Sequence, residues 1–445
     1  MRRVGGRILG VDPSREETLL KTAPLSLERE DTLQSADEAP DVLVVGAGPV
    51  GLFTALTLAD LGVRVQVVDQ ERRPAARSYA LALHPQSLRL LAEAGVTGEL
   101  LAHAHRIDSV AFYEGMGRRA VLDLSGLPDF PHVAVVPQQI LEGALASRLA
   151  QRGAAVLWNH RVSDLEIDDG MTLAKVERLE RSASWTAAVV DRRLVRPRFV
   201  VGADGHRSLV RESLGMAYEE VRPPALFAIF ELTADGPAGH EARVVFHQGR
   251  TGVLWPLGGG RFRWSLEIED WEGFEEPRFK SRHFPRVGDD PFPYLVRDRL
   301  RDLLAERAPW FKAEIGEVLW SMAVRFERRL AGSFGYGRGW LAGDAAHLTS
   351  PIGSQSMNVG LREARDLARR LASILAEDYP VTVLDRYGSD RREEWLGLLG
   401  IDGGFTAGEE ADPWVRENAE RIVPCVPASG EDLTRLLGQI GIVLG

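Results

Sequence analysis

Residues 41–69, DVLVVGAGPVGLFTALTLADLGVRVQVVD, restrict what this chain can fold into more than any other stretch. Four apolar, mostly β-branched residues, Val42 to Val45, lead into Gly46, Gly48 and Gly51, then into a helical pattern to about Leu61. A second apolar run, Val63 to Val68, ends on Asp69. Strand, glycine turn, helix, strand and acid in that order predict a βαβ unit of about 30 residues that holds a dinucleotide at its first turn. Each glycine answers a separate demand: Gly46 the tight turn, Gly48 the approach of a pyrophosphate to bare backbone, Gly51 the packing of helix on strand. Phosphates belong at the helix N-terminus, where unpaired N–H groups and the dipole favour anions. Asp69, about 20 residues beyond the glycines, is placed to accept from ribose hydroxyls.

Further along, an arginine-rich loop, Arg72 to Arg77, precedes a helix from about Pro85 to Gly95. A strand ending at Pro137 meets a helix carrying Ile140, Leu141, Leu145 and Leu149, with Gln138 at the junction, where it can reach a cofactor or cap the helix. Short alternating runs over 154–195 read as antiparallel strands returning to the sheet. RFVVGADGHRSLVRESLG repeats the opening grammar, so Asp204 and Arg207 are expected to face ribose and phosphate oxygens, with Gly205 giving clearance. An Asp-Gly turn with no ligand is the alternative. Residues 217–311 change to β-branched and aromatic alternation with Gly-rich hairpins, an antiparallel sheet set between the second and third cofactor segments. The stretch from Gly337 to Glu377 then predicts a strand, a Gly343-Asp344 turn, an irregular segment with Pro351 and Gly353, and a long helix from about Ser356. Ser354, Gln355, Ser356 and Asn358 are small or polar and suit a helix N-terminus, with the serines as caps. Residues 381–395 read as a surface helix, and 401–445 as a loop and two short helices.

At 445 residues and 44% hydrophobic content the chain can bury a large core in two joined domains. A net charge of −10 argues against general affinity for nucleic acid or anionic membranes. The single cysteine, Cys425, forms no internal disulfide and fits a reducing cytoplasm. No apolar run reaches the roughly 18 residues of a membrane span, and no signal-peptide core or metal-ligand constellation is present.

GAGPVG at Gly46–Gly51, GADG at Gly202–Gly205 and GDAAH at Gly343–His347, in this order, resemble the class A FAD-dependent monooxygenases of the p-hydroxybenzoate hydroxylase type over about residues 40–395. The resemblance implies an α/β fold: a Rossmann-like FAD/NAD(P)-binding domain with an inserted antiparallel β-sheet substrate domain. On that basis residues 1–38 are a flexible extension, 39–216 and 312–400 the two parts of the FAD domain, 217–311 the substrate sheet, and 401–445 a C-terminal helical segment. It also implies that Gly46, Gly48, Gly51, Asp69 and the adjoining Gln70 hold the ADP part of FAD. By the same resemblance Arg77 and Gln138 are expected to touch the flavin chain and Asp204 to serve the pyrophosphate and NAD(P)H, with Gly205 and Arg207 beside it in the cofactor-binding turn. Gly343 and Asp344 bind the ribityl chain. Pro351, Gly353, Ser354, Ser356, Met357 and Asn358 lie beside the flavin ring, with Pro351, Gly353 and Ser354 as the catalytic-side turn. The implied reaction uses NAD(P)H and O2 to hydroxylate or epoxidise an aromatic or polyketide-like molecule through a flavin C4a-hydroperoxide, without a metal.

Phe227, Phe246, Trp255 and Trp264 are candidate walls for such a substrate, and His247 and Arg263 candidate orienting groups; core packing is the alternative role for the aromatics. Two departures stand out. Where the family carries a proline pair and a GGQG run, this chain reads Thr349-Ser350-Pro351-Ile352-Gly353-Ser354-Gln355-Ser356. A thioredoxin-like third domain, found in the phenol hydroxylase branch, does not follow. A flavin-dependent reductase acting on an alkene, or a flavin-binding homologue without turnover, shares the same three motifs; oxygen uptake separates them from an oxygenase. The W-x-W-x-I-P segment of flavin halogenases is missing.

Overall fold

The computed structural model describes residues 32–33, 39–72, 82–168, 170–181, 187–236, 239–269, 283–285, 295–401 and 405–444. The opening motif forms the expected unit: β1 (Val42–Val45), α1 (Pro49–Asp60) and β2 (Val65–Asp69). All four residues of β1 are buried, because it is a central strand covered on both faces. α2 (Gln138–Gln151) packs on α1, followed by β3 (Val156–Trp158) and β4 (Phe199–Gly202). The hairpin β5 (Gly335–Tyr336) and β6 (Gly339–Leu341) completes a six-stranded sheet in the order β5-β6-β4-β1-β2-β3, parallel except for β5. α3 (Gln355–Glu377) packs along α1, and α4 (Val383–Leu398) lies on α3. The carboxyl ends of β1, β4 and β6 therefore deliver the three glycine-bearing turns to one edge of the sheet, the place where open α/β sheets take their ligands.

The second sheet runs Ile315–Ala331, Tyr218–Ala234, Arg261–Ile268, Arg250–Gly258 and Glu241–His247, all antiparallel. It also draws in the hairpin Ser109–Glu114 and Gly117–Asp123, whose first strand pairs parallel to Glu241–His247. The sheet thus takes segments from both sides of the 217–311 span, through pairings more than 100 residues apart in sequence that leave no local mark. Its two faces carry separate cores. One holds Phe227, Phe246, Trp255, Met322 and Ile352 against the C-terminal helices Pro413–Ile422 and Gly430–Gly438. The other holds Phe230, Trp264 and Leu266 under the helix Arg297–Arg307.

One expectation needs correction. Of the strands in 154–195 β3 joins the parallel sheet; His160–Ile167, Thr172–Arg181 and Ala187–Val195 form their own antiparallel sheet, with Thr32–Leu33 on its edge. That sheet turns Val162, Leu165, Ala174 and Val176 onto the first core and its polar alternates to solvent. α4 is the expected surface helix, with Asp385, Arg386, Ser389 and Glu393 exposed. Leu384, Tyr387 and Trp395 are fully buried, and their spacing of three and then eight residues places them on one stripe between charged neighbours. No helix among the described residues is long and apolar enough to cross a membrane.

Candidate cofactor site

The glycines of the first turn divide into two kinds. Gly46 stands at φ +102°, and a Cβ there would lie 2.3 Å from the Ala203 carbonyl; a Cβ on Gly51 would lie 2.0 Å from the Gly46 carbonyl. Both are required by the protein itself. Gly48, the N-cap of α1 at φ −71°, would place a Cβ where no atom of the described residues lies within 4 Å. Among the described residues nothing needs a glycine at that point, and the bare backbone opens onto space that a side chain would enter. This fits a pyrophosphate at the N-terminus of α1. Asp69 stands beside the turn, its Oδ2 accepting from Ala47 N–H at 2.6 Å and its Oδ1 from Glu71 N–H at 2.8 Å. Each oxygen keeps a further lone pair for a hydroxyl donor. Gln70 is exposed.

In the second turn, Asp204 folds back onto the short helix Leu209–Ser213, with Oδ2 accepting from Val210 N–H at 3.3 Å. Although the residue as a whole is half-buried, its carboxylate is enclosed, and Oδ1 has no partner. Desolvation pushes this carboxyl above its ordinary range against hydrogen bonds from Ser208 and the backbone amides. Gly205 is left-handed at φ +79°, and Arg207 is exposed. Arg211, which sequence patterns do not single out, ties this turn to the third: its guanidinium donates to His206 O at 2.9 Å and Ala345 O at 2.8 Å and covers the Tyr218 ring at 3.9 Å.

The third turn presents Asp344 next to α3. Ser356 Oγ donates to Asp344 Oδ1, and Tyr218 OH from the antiparallel sheet donates to Asp344 O at 3.1 Å. Behind the turn, Gly343 N–H donates to Glu363 Oε2 at 2.9 Å. The segment from Pro351 to Asn358 is held on two sides. Asn358, fully buried, accepts from His84 N–H at 2.8 Å through Oδ1 and donates through Nδ2 to Ala82 O and Ser354 O, both at 2.8 Å. His84 Nε2–H donates to Gly353 O at 2.9 Å. From the other side, Gln355 Nε2 donates to Val426 O at 2.7 Å and Ala428 O at 3.0 Å, and a Cβ on Gly353 would lie 2.3 Å from Pro424 O. Met357 packs against the first core, and Pro351 is half-buried. The expected serine cap is absent. Ser354 is the N-cap of α3 but sits left-handed at φ +52° and makes no side-chain cap bond; Ser356 is turned to Asp344 instead.

Gln138 opens α2 and donates to Glu142 Oε1 at 2.6 Å, and Arg77 lies outside the described residues. The candidate substrate residues do not gather in one place. Phe227, Phe246 and Trp255 share the Ile352 face, where Phe246 stacks on Trp414 at 5.7 Å under the Arg421 guanidinium at 4.1 Å. Arg263 pairs with Glu231 at 2.6 Å and is nearly enclosed, its Nε without an acceptor and its pKa lowered by desolvation. His247 bonds Glu306 at 3.0 Å on the helix 297–307, the face that also buries Trp264, so strand alternation turns both away from Ile352.

Three glycine-bearing turns at one edge of a parallel sheet, with a second sheet reaching the third turn through Tyr218, define a dinucleotide-binding oxidoreductase fold. A family model described as an FAD binding domain matches residues 39–395, and the chain belongs to that family, among the flavin-dependent aromatic monooxygenases. It is 31% identical over 356 residues to rifampicin monooxygenase of Streptomyces venezuelae, covering 79% of this chain and 68% of that protein. To 6-methylpretetramide 4-monooxygenase of Streptomyces rimosus it is 30% identical over 361 residues, covering 80% and 59%. Among solved structures it is similar to an anhydrotetracycline hydroxylase from Streptomyces rimosus, with a TM-score of 0.62, 26% identity and coverage of 90% and 76%. The chain spans 59–68% of the length of the two monooxygenases.

Proposed function

We propose that this chain uses NAD(P)H and O2 to hydroxylate a polycyclic or other aromatic, polyketide-like small molecule with FAD as its cofactor. The observation that carries the reading is the division among the glycines: Gly46 and Gly51 are required by packing, while Gly48 faces an open cradle at the N-terminus of α1. The names of the relatives, which act on rifampicin, 6-methylpretetramide and anhydrotetracycline, support the substrate class. In this reading the Gly46–Gly51 turn holds the pyrophosphate, Asp69 the ribose, Asp344 the ribityl chain, and the N-terminus of α3 the ring system. Held there, FAD would supply the acceptor for a hydride from NAD(P)H and the centre at which oxygen is activated.

The protein's part is orientation and charge. Ser356 fixes the Asp344 carboxylate, Asn358 and Gln355 hold the loop between the Ala82–His84 segment and the C-terminal segment, and the α3 dipole favours negative charge on a reduced ring. The buried Phe227, Phe246, Trp255 and Ile352 keep water from that side. The test is the purified protein with 18O2, NAD(P)H and an aromatic polyketide such as anhydrotetracycline. One labelled oxygen in the product, with NAD(P)H consumption rising on addition of the compound, is expected. Product formed at full rate without oxygen would replace this reading with a reductase.

A further inference from the structure

Behind the Gly343–Asp344 turn lies a charged cluster with no access to solvent, to which neither motif nor relative assigns a task. Glu363 on α3 and His347 are both 0% exposed. Glu363 Oε2 accepts from Gly343 N–H and from His347 Nε2, each at 2.9 Å, and Oε1 accepts from Trp395 Nε1 at 2.7 Å. The His347 ring lies on Trp395 with centroids 3.8 Å apart, and Phe334 stacks at 6.2 Å. A buried carboxylate is tolerated only where its lone pairs are filled. Desolvation pushes Glu363 up, yet the neighbouring His347 and the bonds from His347, Gly343 and Trp395 outweigh it and hold the carboxyl below its ordinary range.

The bond to Gly343 is the one that bears on the cofactor. Gly343 stands at φ +66°, and a Cβ there would lie 3.0 Å from Val50 of α1; a Cβ on Gly360 of α3 would lie 2.7 Å from Val50 and 3.2 Å from Gly343 Cα. The turn is wedged between the two helices, and Glu363 grips its first amide from the buried side. The next residue is Asp344, whose carboxylate meets Ser356 on the open side.

We infer that Glu363 is a positioning residue for FAD: by holding the Gly343 amide it sets the point from which Asp344 meets the ribityl chain. His347 holds the same carboxylate oxygen as Gly343, and Trp395 fills the other. The inference rests on the assignment of Asp344 to that chain, and the test separates the two.

FAD affinity of the purified apoprotein is read by quenching of flavin fluorescence, beside the thermal midpoint, for the wild type, Asp344→Ala, Glu363→Gln, Glu363→Asp and Trp395→Phe. A carboxamide in place of the Glu363 carboxylate cannot accept from all three donors, so Glu363→Gln and Asp344→Ala should each weaken FAD by about tenfold or more. Glu363→Asp should fall between wild type and Glu363→Gln. Trp395→Phe removes one donor but spares the Gly343 bond, and should lower the midpoint while leaving FAD affinity within about twofold. Wild-type affinity in Glu363→Gln, with Asp344→Ala weakened, overturns the inference and leaves the Asp344 assignment standing. Wild-type affinity in Asp344→Ala overturns both. If Trp395→Phe loses as much affinity as Glu363→Gln, Glu363 is a packing group and the inference falls. Where Glu363→Gln does not fold, Glu363→Asp against Trp395→Phe decides, and equal affinity overturns it.

Discussion

Gly48 and Ser354 show how backbone conformation separates ligand demands from folding demands. Gly48 has an ordinary φ of −71° and open space at its Cβ position, so Gly48→Val should fold with a thermal midpoint close to that of the wild-type apoprotein. The valine fills the cradle instead, and the protein should purify without a flavin spectrum and fail to take up added FAD. A yellow Gly48→Val protein would remove the pyrophosphate from this turn. Gly46→Ala should behave differently, failing to accumulate as folded protein, since its Cβ meets the Ala203 carbonyl at 2.3 Å. Ser354 carries the opposite problem. A non-glycine residue at φ +52° is strained by about 1–2 kcal/mol, and its hydroxyl returns no cap bond. Relief of that strain is partly offset by the greater freedom of glycine in the unfolded chain, so Ser354→Gly should raise unfolding free energy by about 0.5–1 kcal/mol, read from urea denaturation. No gain would mean that the serine hydroxyl has a partner worth as much as the strain.

The segment Pro351–Asn358 owes its shape to elements that flank it in space. His84 is fully buried, and because Gly353 O can only accept, His84 Nε2 carries a proton. Desolvation, partly opposed by the Gly353 bond, lowers its pKa to about 3. The unfolded chain binds a proton at His84 near pH 6.5, so stability from this group is complete above that value and is lost as pH falls toward 3. The loss approaches about 1.4 kcal/mol per pH unit inside that window. Urea titrations between pH 7 and 4 should therefore show a steeper decline for wild type than for His84→Gln, which can donate to Gly353 O without titrating. Parallel curves would place the acid sensitivity elsewhere.

Across the whole molecule, α3 is the common member. Its N-terminal turn bonds Ala82 and His84, which lie 274–276 residues earlier, and Val426 and Ala428, 71–73 residues later. A ligand on the parallel sheet should consequently stabilise the antiparallel sheet and the C-terminal helices with it. FAD at about 100 times its Kd adds roughly 2.7 kcal/mol, and calorimetry should show one transition that moves upward as a unit. Two transitions, of which FAD moves one, would make the sheets independent.

The βαβ unit, the three glycine-bearing turns and the long helix were legible in sequence because their defining contacts lie within about 30 residues, where hydrophobic period and glycine spacing register directly. Asp69 beside Ala47 belongs to that local set. The rest was settled by pairings that no window spans. Glu363, His347 and Trp395 look like ordinary helix and turn residues until α3, α4 and the Gly343 turn enclose them together. The Ser109–Asp123 hairpin reads as part of the first domain until its parallel partner, more than 100 residues away, draws it into the second sheet. His247 and Phe246 adjoin in sequence, and strand alternation sends them to opposite faces. Sequence by itself determined the βαβ unit and its dinucleotide turn, because those depend on local backbone geometry, and its three motifs carried the resemblance that named FAD. Tertiary structure decided which polar groups are buried, which serine bonds Asp344 and which aromatics share the Ile352 face, because burial and hydrogen bonding between distant segments exist only once the chain has packed.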